Sequence, residues 1–95
     1  MQLLRAESAE RDLDGIADWY GQRDAPATLR LLDRIAEIEQ HLLDHPRGGR
    51  KGRVAGTREM QVPRTPFILI YLVTDKLLYI VRVLHHAQQW PPAIP

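Results

Sequence analysis

The sequence predicts an α+β fold, a helical hairpin packed on one face of an antiparallel β-sheet in the order β-α-α-β-β-β. Three observations predict it. Apolar residues recur at helical spacing from Ala9 to Leu42, and near residue 54 the period changes to alternation. Two short runs apolar on both faces, "FILIYLV" (67–73) and "LLYIVRVL" (77–84), then follow with only Thr74-Asp75-Lys76 between them. A chain of 95 residues has room for one core, so 1–95 reads as a single domain.

Each element has a local reason. Gln2 to Arg5 is a short apolar–polar stretch, expected as a strand. Ser8 is expected to cap a first helix over about 8 to 21, with Glu10 in the first turn, where the dipole favours an acid. Ala9, Leu13, Ile16, Ala17 and Tyr20 form its apolar stripe, and Gly21 ends it. Asp24 caps a second helix over about 25 to 44, and Pro26 lies in its first turn, where a missing N–H costs nothing. Leu31, Ile35, Ile38 and Leu42 give that helix its face, and His45-Pro46 stops it. Arg58, Met60 and Val62 alternate with Thr57, Glu59 and Gln61, which predicts a strand with one buried face. Pro63 to Pro66 must turn. The two apolar runs are too short for core helices and rich in β-branched and aromatic residues, so they predict a central hairpin. One face of that sheet takes the stripes of both helices.

Composition excludes several classes. Hydrophobic residues at 44% and charged residues at 26% suit a folded domain rather than a disordered one. The longest apolar run, Phe67 to Val73, is too short to span a bilayer, so no membrane is expected. Glu7 and Glu10 interrupt any signal-peptide core, and the lack of cysteine suits a reducing cytosol; a cytoplasmic protein is expected. Net charge is +1, but it is unevenly spread. Residues 1–44 carry −5, and residues 45–66 carry +5, with Glu59 the lone acid among six cations. One portion should attract phosphate or an acidic protein while another repels it.

The reactive groups narrow the chemistry further. Ser8 is the only serine and sits at a helix start, so a serine hydrolase is excluded, and a cysteine hydrolase has no nucleophile. His41 and His45 share a helical face but lack third and fourth ligands, so neither a metal nor another cofactor is expected. "RGGRKGRVAG" (47–56) has glycines and a lysine but no Gly-Lys-Ser/Thr before a helix, so it is no phosphate loop. It reads either as a mobile, solvated connection or as a basic patch that grips nucleic acid or an acidic partner segment.

The closing stretch "VLHHAQQWPP" (83–92) raises the sharper question of whether His85 and His86 are an active site or a strand tip. Simple alternation puts Leu78, Ile80, Arg82 and Leu84 on one side with His86 next, and Tyr79, Val81, Val83 and His85 on the other. Arg82 must reach solvent or a carboxylate, either as a salt bridge to a helix acid or as a ligand contact. It and His86 would lie about 13 Å apart, spanned only by an extended ligand such as RNA. Metal-free RNA cleavage needs a base, an acid and a cation, and histidine, lysine and arginine can supply them.

The segments "Asp-Leu-x-x-Ile-x-x-Trp-Tyr" (12–20), "HPRGGR" (45–50), "GTREMQV" (56–62), "LIYLV" (69–73) and "IVRVLHHAQQWP" (80–91) together resemble toxins of the RelE/ParE superfamily from bacterial type II toxin–antitoxin systems. The resemblance covers nearly the whole chain. It implies the same helical hairpin on a sheet, growth inhibition, a role such as plasmid stabilisation, and a cognate antitoxin encoded nearby that neutralises the toxin in a complex. RelE-like members cut mRNA on the ribosome with a basic set on the sheet. Arg58 falls at one such position and His86 near the final catalytic arginine, but Met60 and Ile68 stand where further cations are needed. The resemblance therefore favours a ParE-like inhibitor of DNA gyrase over a metal-independent mRNA endoribonuclease. A nucleic-acid- or protein-binding module without toxicity is the third class. In the RNase reading the catalytic candidates are Arg58, Arg82, His85 and His86; the candidates for target or antitoxin binding are Arg50, Lys51 and Arg53. Arg82 and His86 are expected to serve activity, and Trp90 to fold back over apolar surface.

Overall fold

The computed structural model describes residues 1–92, so the last three residues of the expected domain lie outside it. The elements are β1 (Gln2–Arg5), α1 (Glu7–Gly21), α2 (Ala25–Asp44), β2 (Arg50–Lys51), β3 (Arg58–Gln61), β4 (Phe67–Val73) and β5 (Leu77–His85). The sheet order is β1-β5-β4-β3-β2. The α+β class and the helical hairpin stand as expected, with two differences. β1 pairs with β5 in parallel, so the sheet is mixed. The short edge strand β2 lies inside a stretch that reads from sequence as a loop or patch.

The helical stripes meet the sheet as their spacing predicts. Ala9, Ile16, Ile35 and Leu42 are buried in one cluster with Phe67, Leu69, Tyr71, Leu78, Ile80 and Val83, and Leu13, Tyr20, Leu31 and Ile38 pack against it. The Asp24 carboxylate accepts from the Ala27 N–H at 3.0 Å, as a cap should. Ser8 does not cap α1. The helix starts at Glu7 after Ala6, whose side chain makes no cap bond, and the Ser8 hydroxyl donates to Val81 O at 2.6 Å. Arg5 on β1 forks onto the buried carboxylate of Glu39 on α2, at 2.8 and 2.6 Å, which fastens the edge strand to the second helix.

β5 departs from simple alternation. Ile70 pairs with Arg82 and Tyr71 with Ile80, so Val81 is an extra residue on β5, a bulge. Leu78, Ile80 and Val83 consequently join the same core, while Arg82 and Leu84 sit opposite Ile70 and Ile68 on the other face. The expected grouping of Val83 away from Ile80 is overturned by that one inserted residue.

Candidate functional site

Two strand edges and one helix build the surroundings of Arg82. β1 ends opposite Ile80, so the edge of β5 beyond it has no strand partner. α1 takes that place with side chains. Ser8 donates to Val81 O, and the Asp12 carboxylate accepts from the Val83 N–H at 2.9 Å. The same carboxylate receives Arg82 Nε at 2.7 Å and Nη2 at 2.9 Å. This two-point pair keeps the guanidinium charged and raises its pKa, against the opposing effect of burial. Arg82 is thus the salt bridge to a helix acid that its apolar surroundings demand. Trp90 turns back as expected, its ring centroid 5.8 Å from the Arg82 guanidinium. Its indole Nε1 is buried, with no hydrogen-bond partner among the described residues.

The basic segment is organised around Glu59, which faces the same way as Ile70 in the β3–β4 register and is 2% exposed. Its carboxylate accepts from the Arg53 guanidinium at 2.9 Å, the Arg53 N–H at 2.8 Å and Arg50 Nη2 at 3.1 Å. The Arg53 side-chain bond is the main cause holding the Glu59 pKa near 2, with burial opposing it. Arg50 and Arg53 are therefore occupied by a buried acid, which the alternation of the strand did not single out. Lys51 pairs instead with Arg58 across β2 and β3. Those two, Arg47 and the loop around Gly56 line a cleft of about 380 Å³. Arg58 donates to Gly49 O at 2.8 Å, which holds it at this end of the sheet. Beneath it, the buried Gly49 N–H donates to the Tyr71 hydroxyl at 2.8 Å, and burial raises the tyrosine's pKa.

A third feature lies between α1 and the ends of β4 and β5. A groove of about 510 Å³ is lined by Arg11, Trp19, Tyr20, Phe67, His85 and Gln88 among others. Trp19 is 53% exposed, and the Arg23 guanidinium stacks 3.5 Å from its ring centroid. At the groove's rim the His85 and His86 rings stack with centroids 4.7 Å apart. The Ala87 N–H donates to His85 Nδ1 at 3.1 Å, so the proton of neutral His85 sits on Nε2. His86 Nδ1 faces Pro66 O at 3.3 Å, a contact in which the ring nitrogen is the donor.

Of the residues singled out from sequence, His85 and His86 are brought together, as are Lys51 and Arg58, and Arg50 and Arg53. Arg58 follows Tyr71 onto the helix-covered side, whereas Arg82 follows Ile70 onto the other. His41 and His45 do share a face, with ring centroids 4.8 Å apart, but gather no third metal ligand among the described residues. Sequence reasoning missed Asp12 and Glu59 as partners. For Glu59 the signal was present, a lone acid inside a run of cations.

The helical hairpin on one face of a five-stranded mixed sheet is shared with type II toxins of the RelE/ParE superfamily, and matches to that superfamily over most of its length make this chain a member. More narrowly, it belongs to the family described as the ParE toxin of the type II toxin–antitoxin system parDE, whose model matches residues 3–90. It is 34% identical over 86 residues to Y4kP of Sinorhizobium fredii, covering 90% of this chain and 88% of that one. It is 32% identical over 87 residues to toxin RelE2 of Caulobacter vibrioides, with 92% and 97% covered. Among solved structures, a chain of the chromosomal ParDE TA system from P. aeruginosa superposes with a TM-score of 0.79 at 30% identity, covering 90% and 95% of the two chains.

Proposed function

We propose that this toxin acts by binding, as a ParE-like inhibitor of DNA gyrase that a cognate antitoxin neutralises. The observation that supports this most is the separation of the cations a metal-free RNase would have to concentrate. Arg82 is neutralised by Asp12, and Arg58 lies on the opposite side of the sheet, held by a backbone carbonyl. Likeness to the P. aeruginosa ParDE chain favours the same reading, and it also favours an antitoxin partner for this chain. In this reading the groove beside Trp19 takes an apolar anchor of a protein partner, since exposed tryptophan is a frequent hot spot. Lys51, with Arg47 and Arg58, meets acidic groups on an antitoxin or the phosphates of a target complex.

One observation favours a second reading, a RelE-like ribosome-dependent endoribonuclease. The stacked histidines bond through their Nδ1 atoms, His85 to the Ala87 N–H and His86 to Pro66 O, which leaves both Nε2 atoms free to face a bound RNA, and histidine is the side chain most used for proton transfer. A paired assay separates the two. Purified toxin is incubated with gyrase and supercoiled plasmid, and separately with translating ribosomes. Inhibited supercoiling with intact mRNA is expected, and cleaved mRNA with unaffected gyrase would overturn the binding reading.

A further inference from the structure

We infer that Arg30, Arg34 and Arg64 form a second docking site, one that takes an acidic side chain from a peptide segment of a protein partner. The three arginines line a pocket of about 200 Å³ between the first half of α2 and the β3–β4 turn, together with Leu31 and Pro66. The site is separate from the Trp19 groove and from the Lys51 cleft, and it does not depend on which target the toxin inhibits.

Several features mark it as assembled for a ligand. None of the three guanidiniums forms a salt bridge with a carboxylate among the described residues. Arg30 and Arg34 are like charges four residues apart on one helical face, an arrangement that weakens a helix. Arg34 is half-buried, and its only polar contact among the described residues is a long one, 3.4 Å, to Pro63 O. Arg64 has φ +60°, in the left-handed region that disfavours a side chain. The turn would be more comfortable with glycine there, yet it carries a third guanidinium into the same pocket. Each choice costs stability, and the three converge on one concave spot.

The surroundings select the class of ligand. Guanidinium forks match carboxylate and phosphate alike. A nucleic acid, however, would run its phosphates past Asp33 and Glu37, which line the next surface of α2. Leu29, on the same helix, is 64% exposed and offers apolar contact. An isolated carboxylate on a partly apolar peptide satisfies both neighbourhoods, and a polyphosphate backbone satisfies only one.

The test uses fluorescence anisotropy at low salt with two probes, a short labelled peptide rich in glutamate and leucine and an oligothymidylate of matched charge. The variant Arg30→Gln/Arg34→Gln/Arg64→Gln should weaken peptide binding about tenfold or more. A Lys76→Gln control, at the exposed turn between β4 and β5, should weaken it less than about twofold. Arg64→Gly alone should weaken peptide binding yet raise the melting temperature by about 3 °C, because the turn is relieved. The proposal is overturned if the triple variant binds the peptide as the parent does, or if the parent does not bind it. It is equally overturned if the control loses more than the triple variant, if the oligonucleotide is the tighter ligand of this site, or if Arg64→Gly lowers the melting temperature.

Discussion

Replacing Glu59 by glutamine removes the charge around which the basic segment is ordered. The carboxylate is buried and receives bonds from Arg50, from the Arg53 guanidinium and from the Arg53 N–H. Its pKa falls from 4.5 to about 2 in the folded state, a gap that corresponds to about 3 kcal/mol. The arginine side chains are 70% and 46% exposed, so water screens the pairs and rehydrates the cations once the acid is gone. The expected cost of Glu59→Gln is therefore about 2 kcal/mol near neutral pH, or ~10 °C in melting temperature for a chain of this size. The sign with pH follows from the depressed pKa. The stabilisation is fully present above the unfolded value near 4.5 and is lost as pH falls towards 2. Urea denaturation of both proteins from about pH 7 down to about pH 3 should show a gap that is constant at first and narrows below about pH 4.5. A gap that holds its size to the acid end, or one under about 0.5 kcal/mol at neutral pH, would refute the reasoning.

The remaining expectations concern three other sites. Arg82→Ala should cost about 2–3 kcal/mol in urea denaturation, because it strands the Asp12 carboxylate, and Arg82→Ala/Asp12→Ala should cost less than the two singles together. Strict additivity would mean that the pair is not coupled. Gly49→Ala should destabilise by about 2 kcal/mol, since its Cβ would lie 2.6 Å from the Tyr71 hydroxyl and 2.8 Å from Glu59 O; an unchanged urea midpoint would mean that the tyrosine moves aside freely. His86→Ala should leave the melting temperature within about 2 °C and gyrase inhibition largely intact, because the ring is exposed at a strand end. Its mRNA readout discriminates further, and abolished cleavage would favour the RelE-like reading.

Much of the framework was legible in the sequence because it rests on periodicity. The stripes Ala9–Tyr20 and Leu31–Leu42, the Asp24 cap and the hairpin 67–84 are local patterns, and each is found where its spacing puts it. What escaped is non-local. The extra residue at Val81 leaves no mark in composition, yet it rotates Val83 into the core and Arg82 out of it. β2 is two residues long, too short to leave a pattern, and lies where Glu59 gathers Arg50 and Arg53 around the edge of β3. Ser8 looks like a cap by residue type, but tertiary demand from the open edge at Val81 outweighs the local preference. Arg82 was legible as a problem, an unpaired cation in an apolar strand, and insoluble until Asp12 came alongside. The proposed roles of Arg58, His85 and His86 depend on side-chain direction, which spacing fixes only where no bulge intervenes.

The parallel seam between β1 and β5 has a bearing on how the molecule comes into being. β1 and β5 lie at opposite ends of the element order, and Ser8 bonds to a carbonyl 73 residues further on. Contacts so distant in sequence raise the contact order and slow folding, because loop-closure entropy must be overcome before the contacts form. During synthesis β1 and α1 emerge early, yet they cannot complete the edge they share until β5 has been made. The chain is therefore unable to close its sheet while it is still short, and the Trp19 groove, walled by Phe67 and His85, cannot take shape before then.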